Sequence, residues 1–165
     1  MTSLLRIIYD FLARSRYLIL LVPATAAMLI YCQDLSFEPT NWDDEQLVFN
    51  NPFTQTITVE NIISILTPGK TSEDKLYLPV TYLSNLVEFQ LPGNRSRTVH
   101  FDNLALHLVN ICLVFMLVSV VARERLAGFI AALLFTVHPL QAEAVAWGMG
   151  RKDLLMTMFS LLSMI

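Results

Sequence analysis

Four apolar blocks and one long polar interval set the pattern of this chain. The blocks run over residues 17–33, 99–121, 126–147 and 154–165, and the polar interval covers 34–98. The apolar residues come in long runs and do not alternate, which predicts helices and not half-buried strands. At 1.5 Å per residue the first block makes a helix of roughly 25 Å, just sufficient, with its flanks, for a bilayer core of about 30 Å. The second and third blocks are long enough to span, and Arg123-Glu124-Arg125 leaves a very short turn between them. The last block reaches roughly 18 Å and reads as a truncated fourth span. On that expectation the sequence is the N-terminal part of a longer protein. Ahead of the first block, Leu4, Ile7, Ile8, Phe11 and Leu12 share a helical face with Arg6 and Arg14 off it. Residues 1–16 therefore read as a cytoplasmic amphipathic segment on the membrane surface. A cleaved signal peptide is the competing reading, because Ala24-Thr25-Ala26-Ala27 offers small residues. The apolar run continues past them, which favours a retained span.

The polar interval carries helix signals of its own. Thr58 can cap a short helix through Leu66. Pro79 suits the first turn of another, ending near Gln90 before Pro92-Gly93. Val80, Leu83, Leu86, Val87 and Leu91 give that second helix an apolar side, as a membrane-surface helix would have. The predicted class is all-α: a polytopic integral membrane protein with about four transmembrane helices and a large outer loop bearing amphipathic surface helices.

Composition agrees. Apolar residues make up 55% and charged residues 15% of the 165-residue chain, against about a quarter charged in soluble domains. The net charge of −3 offers no footprint for nucleic acid. Its distribution is more telling. Arg6, Arg14 and Arg16 place the N-terminus in the cytoplasm, and alternation then places Arg123 and Arg125 there too. The 34–98 loop, with nine acidic and four basic residues, falls on the lumenal or periplasmic side together with the Gly150-Arg151-Lys152-Asp153 turn. Bacterial inner membrane and endoplasmic reticulum both fit. Arg151 and Lys152 run against the charge rule, which suggests a ligand there that wants positive charge. Cys32 and Cys112 lie in different spans at different depths and predict no disulfide.

The candidate chemistry gathers on the outer side. Asp43, Asp44 and Glu45 follow Trp42, about ten residues beyond the first span. His100, Asn103, His107 and Asn110 share one face of the second span, and that face turns apolar at Val114 and Leu117. Such a stripe either lines a cavity open to the outer side or holds the bundle together by interhelical hydrogen bonds. In the third span His138, Gln141 and Glu143 come near the outer end, where Pro139 bends the helix or breaks its ladder. The histidines have no compact zinc spacing. No phosphate-cradling glycine loop, nucleophile elbow or dinucleotide fingerprint is present. Asn94-Arg95-Ser96 is a glycosylation sequon on the outer side.

Trp42-Asp43-Asp44, Val48 and Asn51-Pro52, Leu78-Pro79-Val80-Thr81, HFDNLALHLVN and HPLQAEAVAWGMGRKDLL occur in that order. Together they resemble the N-terminal membrane region of the TMTC-type proteins, over about residues 35–160. These are transmembrane O-mannosyltransferases of the GT-C superfamily with C-terminal tetratricopeptide repeats. The resemblance implies inverting transfer of a sugar, mannose by analogy, from a polyprenyl-phosphate donor to a hydroxyl of a protein or glycan acceptor, such as Ser or Thr. It also implies that the catalytic acid is one of the pair Asp43 and Asp44. This chain has Leu47 where the family often has Tyr, and an extra acid at Glu45, so the choice within the pair stays open.

A hydroxyl nucleophile needs its proton removed, and one carboxylate suits that role. The second could orient it or hold a divalent cation. The lipid phosphate needs a cation, for which Arg151 is the first candidate, followed by Lys152 and His138. Asp153 would pair with Arg151 or cap the fourth span. Glu45 and His107 complete the candidate substrate-binding set. Two rival readings remain: an inactive membrane fragment serving as anchor or interaction module, and part of a transporter. The transporter predicts polar residues continuing into the inner halves of the spans, which lack them.

Overall fold

The longest apolar block forms the longest helix. In the computed structural model, which describes residues 18–39, 43–71 and 77–165, α1 is Leu21–Tyr31, with a 3-10 turn at Leu18–Leu20 before it and another at Cys32–Ser36 after it. Then follow a π-turn at Asp44–Phe49, a 3-10 turn at Pro52–Thr54, α2 (Val59–Leu66), α3 (Pro79–Glu88) and α4 (Arg95–Val121). The chain continues through α5 (Arg125–Val137), α6 (Pro139–Ala146), a 3-10 turn at Gly148–Gly150 and α7 (Arg151–Met164). No strand occurs among the described residues. The amphipathic stretch 3–14 and Trp42 lie outside them.

Local signals place the helix starts. The Thr58 hydroxyl accepts the Asn61 amide N–H at 3.1 Å, opening α2. Pro79 takes the first position of α3, where its missing N–H costs nothing. Asn94 accepts the Arg97 amide N–H at 3.2 Å and opens α4, four residues before the expected start of the span. Pro23 sits in the first turn of α1, again where no intrahelical donor is required.

α4 is the centre of the bundle, packed on α1, α5 and α7. Ile19, Ala27, Tyr31, Leu104, Ile111, Phe115, Ala132, Val145 and Leu154 form its main core. Gly128 lets α5 close on α4. A Cβ there would collide with Ser119 Oγ and lie 2.7 Å from the Phe115 carbonyl oxygen. The residues of the polar interval add two small cores beyond the Arg95 end of α4. One gathers Leu47, Val48, Phe89, Val99 and Met149. The other gathers Ile65, Tyr82 and Leu86, joining α2 to α3.

The expected third span, 126–147, is two helices. His138 is extended, α6 starts at Pro139, and the axes of α5 and α6 differ by 62°. Proline removes the amide N–H and forces the preceding residue out of helical geometry. Among the described residues, α4 alone is long and apolar enough to cross a membrane unaided. α5 and α6 reach that length only as a bent pair.

Candidate functional site

Breaking a helix frees backbone carbonyls, and the polar stripe of α4 answers them. α6 ends at Ala146, leaving its last carbonyls without intrahelical donors. Asn103 donates from Nδ2 to the Trp147 carbonyl at 2.9 Å and to the Val145 carbonyl at 3.4 Å. Asn110 Nδ2 reaches a different kind of acceptor, the Leu154 carbonyl inside α7, at 3.0 Å. At the end of α5 the Tyr31 hydroxyl donates to the Thr136 carbonyl at 3.4 Å. His107, fully buried, lies edge-on to Tyr31 and stacked on Phe135, with ring centroids 5.4 Å away in each case. His100 is buried beside Phe37, edge-on at 6.4 Å. Of the two readings of the stripe, interhelical hydrogen bonding describes Asn103 and Asn110. His107 is packed among rings.

The turn between α6 and α7 is where distant residues converge. Gly148 and Gly150 leave room for close neighbours. A Cβ on Gly148 would lie 2.9 Å from Asp44 Oδ1, and one on Gly150 would fall on the Ala144 carbonyl oxygen. Asp44, 1% exposed, accepts the Met149 amide N–H through Oδ1 at 3.0 Å. Asp43 and Glu45, on either side of it, are exposed. Asp44 of the acidic cluster and the 148–150 turn thus meet.

Arg151 is buried, 2% exposed, and its donors are directed at protein oxygens. Nε donates to Asn103 Oδ1 at 3.3 Å. One terminal nitrogen donates to Asn85 Oδ1 at 2.7 Å, to Ser84 Oγ at 3.4 Å, and to the Glu88 carboxylate. The other donates to the Val99 carbonyl at 3.3 Å and lies 4.0 Å from Asp102. Burial pushes the Glu88 carboxyl up from its ordinary value, and the guanidinium pulls it only part of the way back. The cation expected on a donor phosphate is instead the hub joining α3, α4 and α7. Its ion partners are Glu88 and Asp102, where the sequence suggested Asp153.

Lys152 lies over the Trp147 ring, 4.4 Å from its centroid. Asp153 lines an open cavity of about 250 Å³ with Gln141, Glu143 and Thr157. His138 is exposed at the break, and its Nδ1 accepts the Leu140 amide N–H at 3.3 Å, capping α6. Among the described residues, no group of three or more His, Cys, Asp and Glu side chains gathers that could hold a metal ion.

Sequence reasoning missed Glu88 and Asn85. A signal was there for Glu88, the one acid in the sequence from Pro79 to Gln90. An acid on an otherwise neutral packed helix calls for a buried cation.

Curated relatives match parts of the chain. Protein O-mannosyl-transferase TMTC1 of Homo sapiens is 34% identical over 98 residues, covering 59% of this chain and 11% of its own length. Protein O-mannosyl-transferase TMTC3 of Mus musculus is 34% identical over 87 residues, covering 53% of this chain and 9% of its own. A Caenorhabditis elegans protein O-mannosyl-transferase is 29% identical over 136 residues, covering 75% of this chain and 19% of its own. The chain spans about a tenth to a fifth of the length of these relatives. No family model and no solved structure matches it.

Proposed function

We propose, from its similarity to the TMTC-type O-mannosyl-transferases, that the chain forms the outer part of a membrane-embedded mannosyltransferase. The names of its relatives support a glycosyltransferase. In this reading the protein is polytopic. The helical path through residues 18–36, α4, the bent pair α5–α6, and α7 are its membrane segments. The first of these reaches about 30 Å, because its 3-10 turns rise faster than an α-helix. The charge pattern supports a cytoplasmic N-terminus, with residues 34–98 facing the lumen of the endoplasmic reticulum, or the periplasm in a bacterium.

The donor is a polyprenyl-phosphate sugar, mannose, with its lipid in the bilayer, and the acceptor is a Ser or Thr hydroxyl of a protein. Asp43 acts as general base. It takes the hydroxyl proton as the oxygen attacks the anomeric carbon opposite the phosphate. The bond from that carbon to the phosphate oxygen breaks, the electron pair leaves with polyprenyl phosphate, and the configuration inverts. The departing phosphate is already a good leaving group and needs charge stabilisation more than a strong acid. Lys152 supplies it, standing beside Arg151 on the same turn and steadied by Trp147.

One observation carries this reading: Asp43 is exposed on the turn that Asp44 joins to the head of α7. One acid is thus presented to a substrate while its neighbour is tied down. Transfer from polyprenyl-phosphate mannose by Asp43→Asn should fall by about 10²-fold or more. The amount of folded protein should hold, since the residue is exposed. Undiminished transfer by this variant would remove Asp43 as base.

A further inference from the structure

Asp43 and Asp44 are chain neighbours in opposite surroundings. Asp43 is exposed, and Asp44 is 1% exposed. The Asp44 carboxylate fills a slot that a glycine leaves open. A Cβ on Gly148 would stand 2.9 Å from Oδ1 and 3.1 Å from Cγ. Within the slot, Oδ1 accepts the Met149 amide N–H at 3.0 Å. That amide sits two residues before α7, 105 positions away along the chain. A carboxylate acceptor for a backbone N–H makes a charge-assisted bond, stronger than one between neutral groups. An acceptor hydroxyl could reach this carboxylate only by opening the slot. Leu47 and Val48, in the next turn of chain, pack with Met149 and so hold the same contact from its apolar side.

We propose that Asp44 is a positioning residue: its bond to the Met149 amide, seated against Gly148, latches the outer loop onto the head of α7 and fixes where Asp43 stands. The proposal rests on Asp43 as base and divides the acidic pair into one proton acceptor and one latch. It also gives Gly148 a role in catalysis at a distance. Any side chain there displaces Asp44 and, through it, Asp43.

The test uses three variants of the full chain in lipid nanodiscs, with two readouts. Asp44→Asn keeps an oxygen able to accept the Met149 N–H but can take no proton as a base. Asp44→Ala removes the acceptor. Gly148→Ala leaves Asp44 intact but fills its slot. The first readout is hydrogen exchange at the Met149 amide, which needs no activity. It should speed up by about tenfold or more in Asp44→Ala and Gly148→Ala, and by much less in Asp44→Asn. The second readout is sugar transfer, where Asp44→Ala and Gly148→Ala should lower kcat with little change in KM for the donor. Asp44→Asn should restore most of that loss. Transfer as low in Asp44→Asn as in Asp44→Ala, with the Met149 amide still protected, would overturn the proposal, since the charge and not the latch would then matter. Unchanged exchange in Asp44→Ala would overturn it too. If exchange behaves as expected but Asp43→Asn transfers sugar normally, the latch stands and the assignment of the base falls.

Discussion

Near its Val121 end, α4 meets α5 through the bare backbone of Gly128, against Ser119 and the Phe115 carbonyl. From its middle toward its Arg95 end, the same helix meets its neighbours through Asn110, Asn103 and the groups around Arg151. In the proposed topology these are the cytoplasmic and outer halves of one bundle. The difference follows from what the neighbouring helices do. Along the inner half they are unbroken and satisfy their own backbones, so shape decides the packing. In the outer half the chain breaks at His138 and again at Trp147. Each break frees carbonyls that an apolar surrounding cannot solvate. Polar side chains must therefore be aimed at particular atoms there, and the candidate site is built from the same breaks.

The comparison fails outright if the two ends lie on the same side of the membrane, so the largest expected effect is all-or-none. With Cys32 and Cys112, both exposed, replaced by serine and alanine, Lys70→Cys should react with an impermeant thiol reagent only from the outer side. Glu124→Cys should react only from the cytoplasmic side. Labelling of both from one side would dissolve the distinction between the halves.

Next comes Arg151. Arg151→Ala strands the buried Glu88 carboxylate and removes a donor from Asn103, Asn85, Ser84 and the Val99 carbonyl. Breaking a buried ion pair this way costs about 3–5 kcal/mol, so thermal unfolding in detergent should shift down sharply. Arg151→Lys should recover only part, because a point charge cannot serve the spread of acceptors on α3 and α4 at once. Glu88→Gln should cost clearly less than Arg151→Ala. It keeps an acceptor, and burial already opposes the charge on that carboxyl. A fully stable Arg151→Ala protein with weakened donor affinity would return Arg151 to the phosphate.

Asn103→Leu and Gly128→Ala sharpen the contrast at similar cost by opposite routes. The first removes the Asn103 donor from the Val145 carbonyl, leaves the Trp147 carbonyl with the Gly150 amide N–H alone and strips Arg151 Nε of its acceptor, about 1–3 kcal/mol for an unsatisfied buried group. The second overpacks the α4–α5 contact, about 1–3 kcal/mol. Adding Ser119→Ala relieves one collision of Gly128→Ala but leaves the Phe115 carbonyl 2.7 Å away, so rescue should be partial. Hydrogen exchange separates the two. Asn103→Leu should loosen the amides of α6 and the 148–150 turn, while Gly128→Ala should loosen α5.

How much of this the sequence carried depended on the range of the signal. Thr58, Pro79 and the length of the 99–121 block are local, and α2, α3 and α4 appear where they point. Pro139 marked the place of the break. The size of the bend, 62°, did not follow from the residue. For the meeting of Asp44 with the 148–150 turn, the sequence offered only the expectation that both segments lie on one side of the membrane. The atom that binds Asp44 is a backbone N–H, which no residue pattern announces. Arg151 was read as a cation in want of an anion, and it has one. The anion is Glu88, 63 positions away on a helix assigned to the membrane surface. Side-chain reasoning looked for ligands where the fold had unpaired carbonyls and a buried carboxylate.

The smallest effect tests the border between the halves. Tyr31 joins α1 to the broken end of α5, its hydroxyl donating to the Thr136 carbonyl over 3.4 Å, a long bond. Its ring also lies edge-on to His107. Tyr31→Phe removes the donor and keeps the ring. If addressed hydrogen bonds hold even this last carbonyl, the variant should lose about 0.6 kcal/mol, the usual scale for one such bond inside a membrane protein. Tyr31→Leu should lose more, because the ring contact with His107 goes as well. A Tyr31→Phe protein indistinguishable from the parent, beside a clearly weakened Tyr31→Leu, would move this contact to the inner half's regime, where shape suffices. The boundary between the regimes would then lie at Asn110 and Asn103, not at Tyr31.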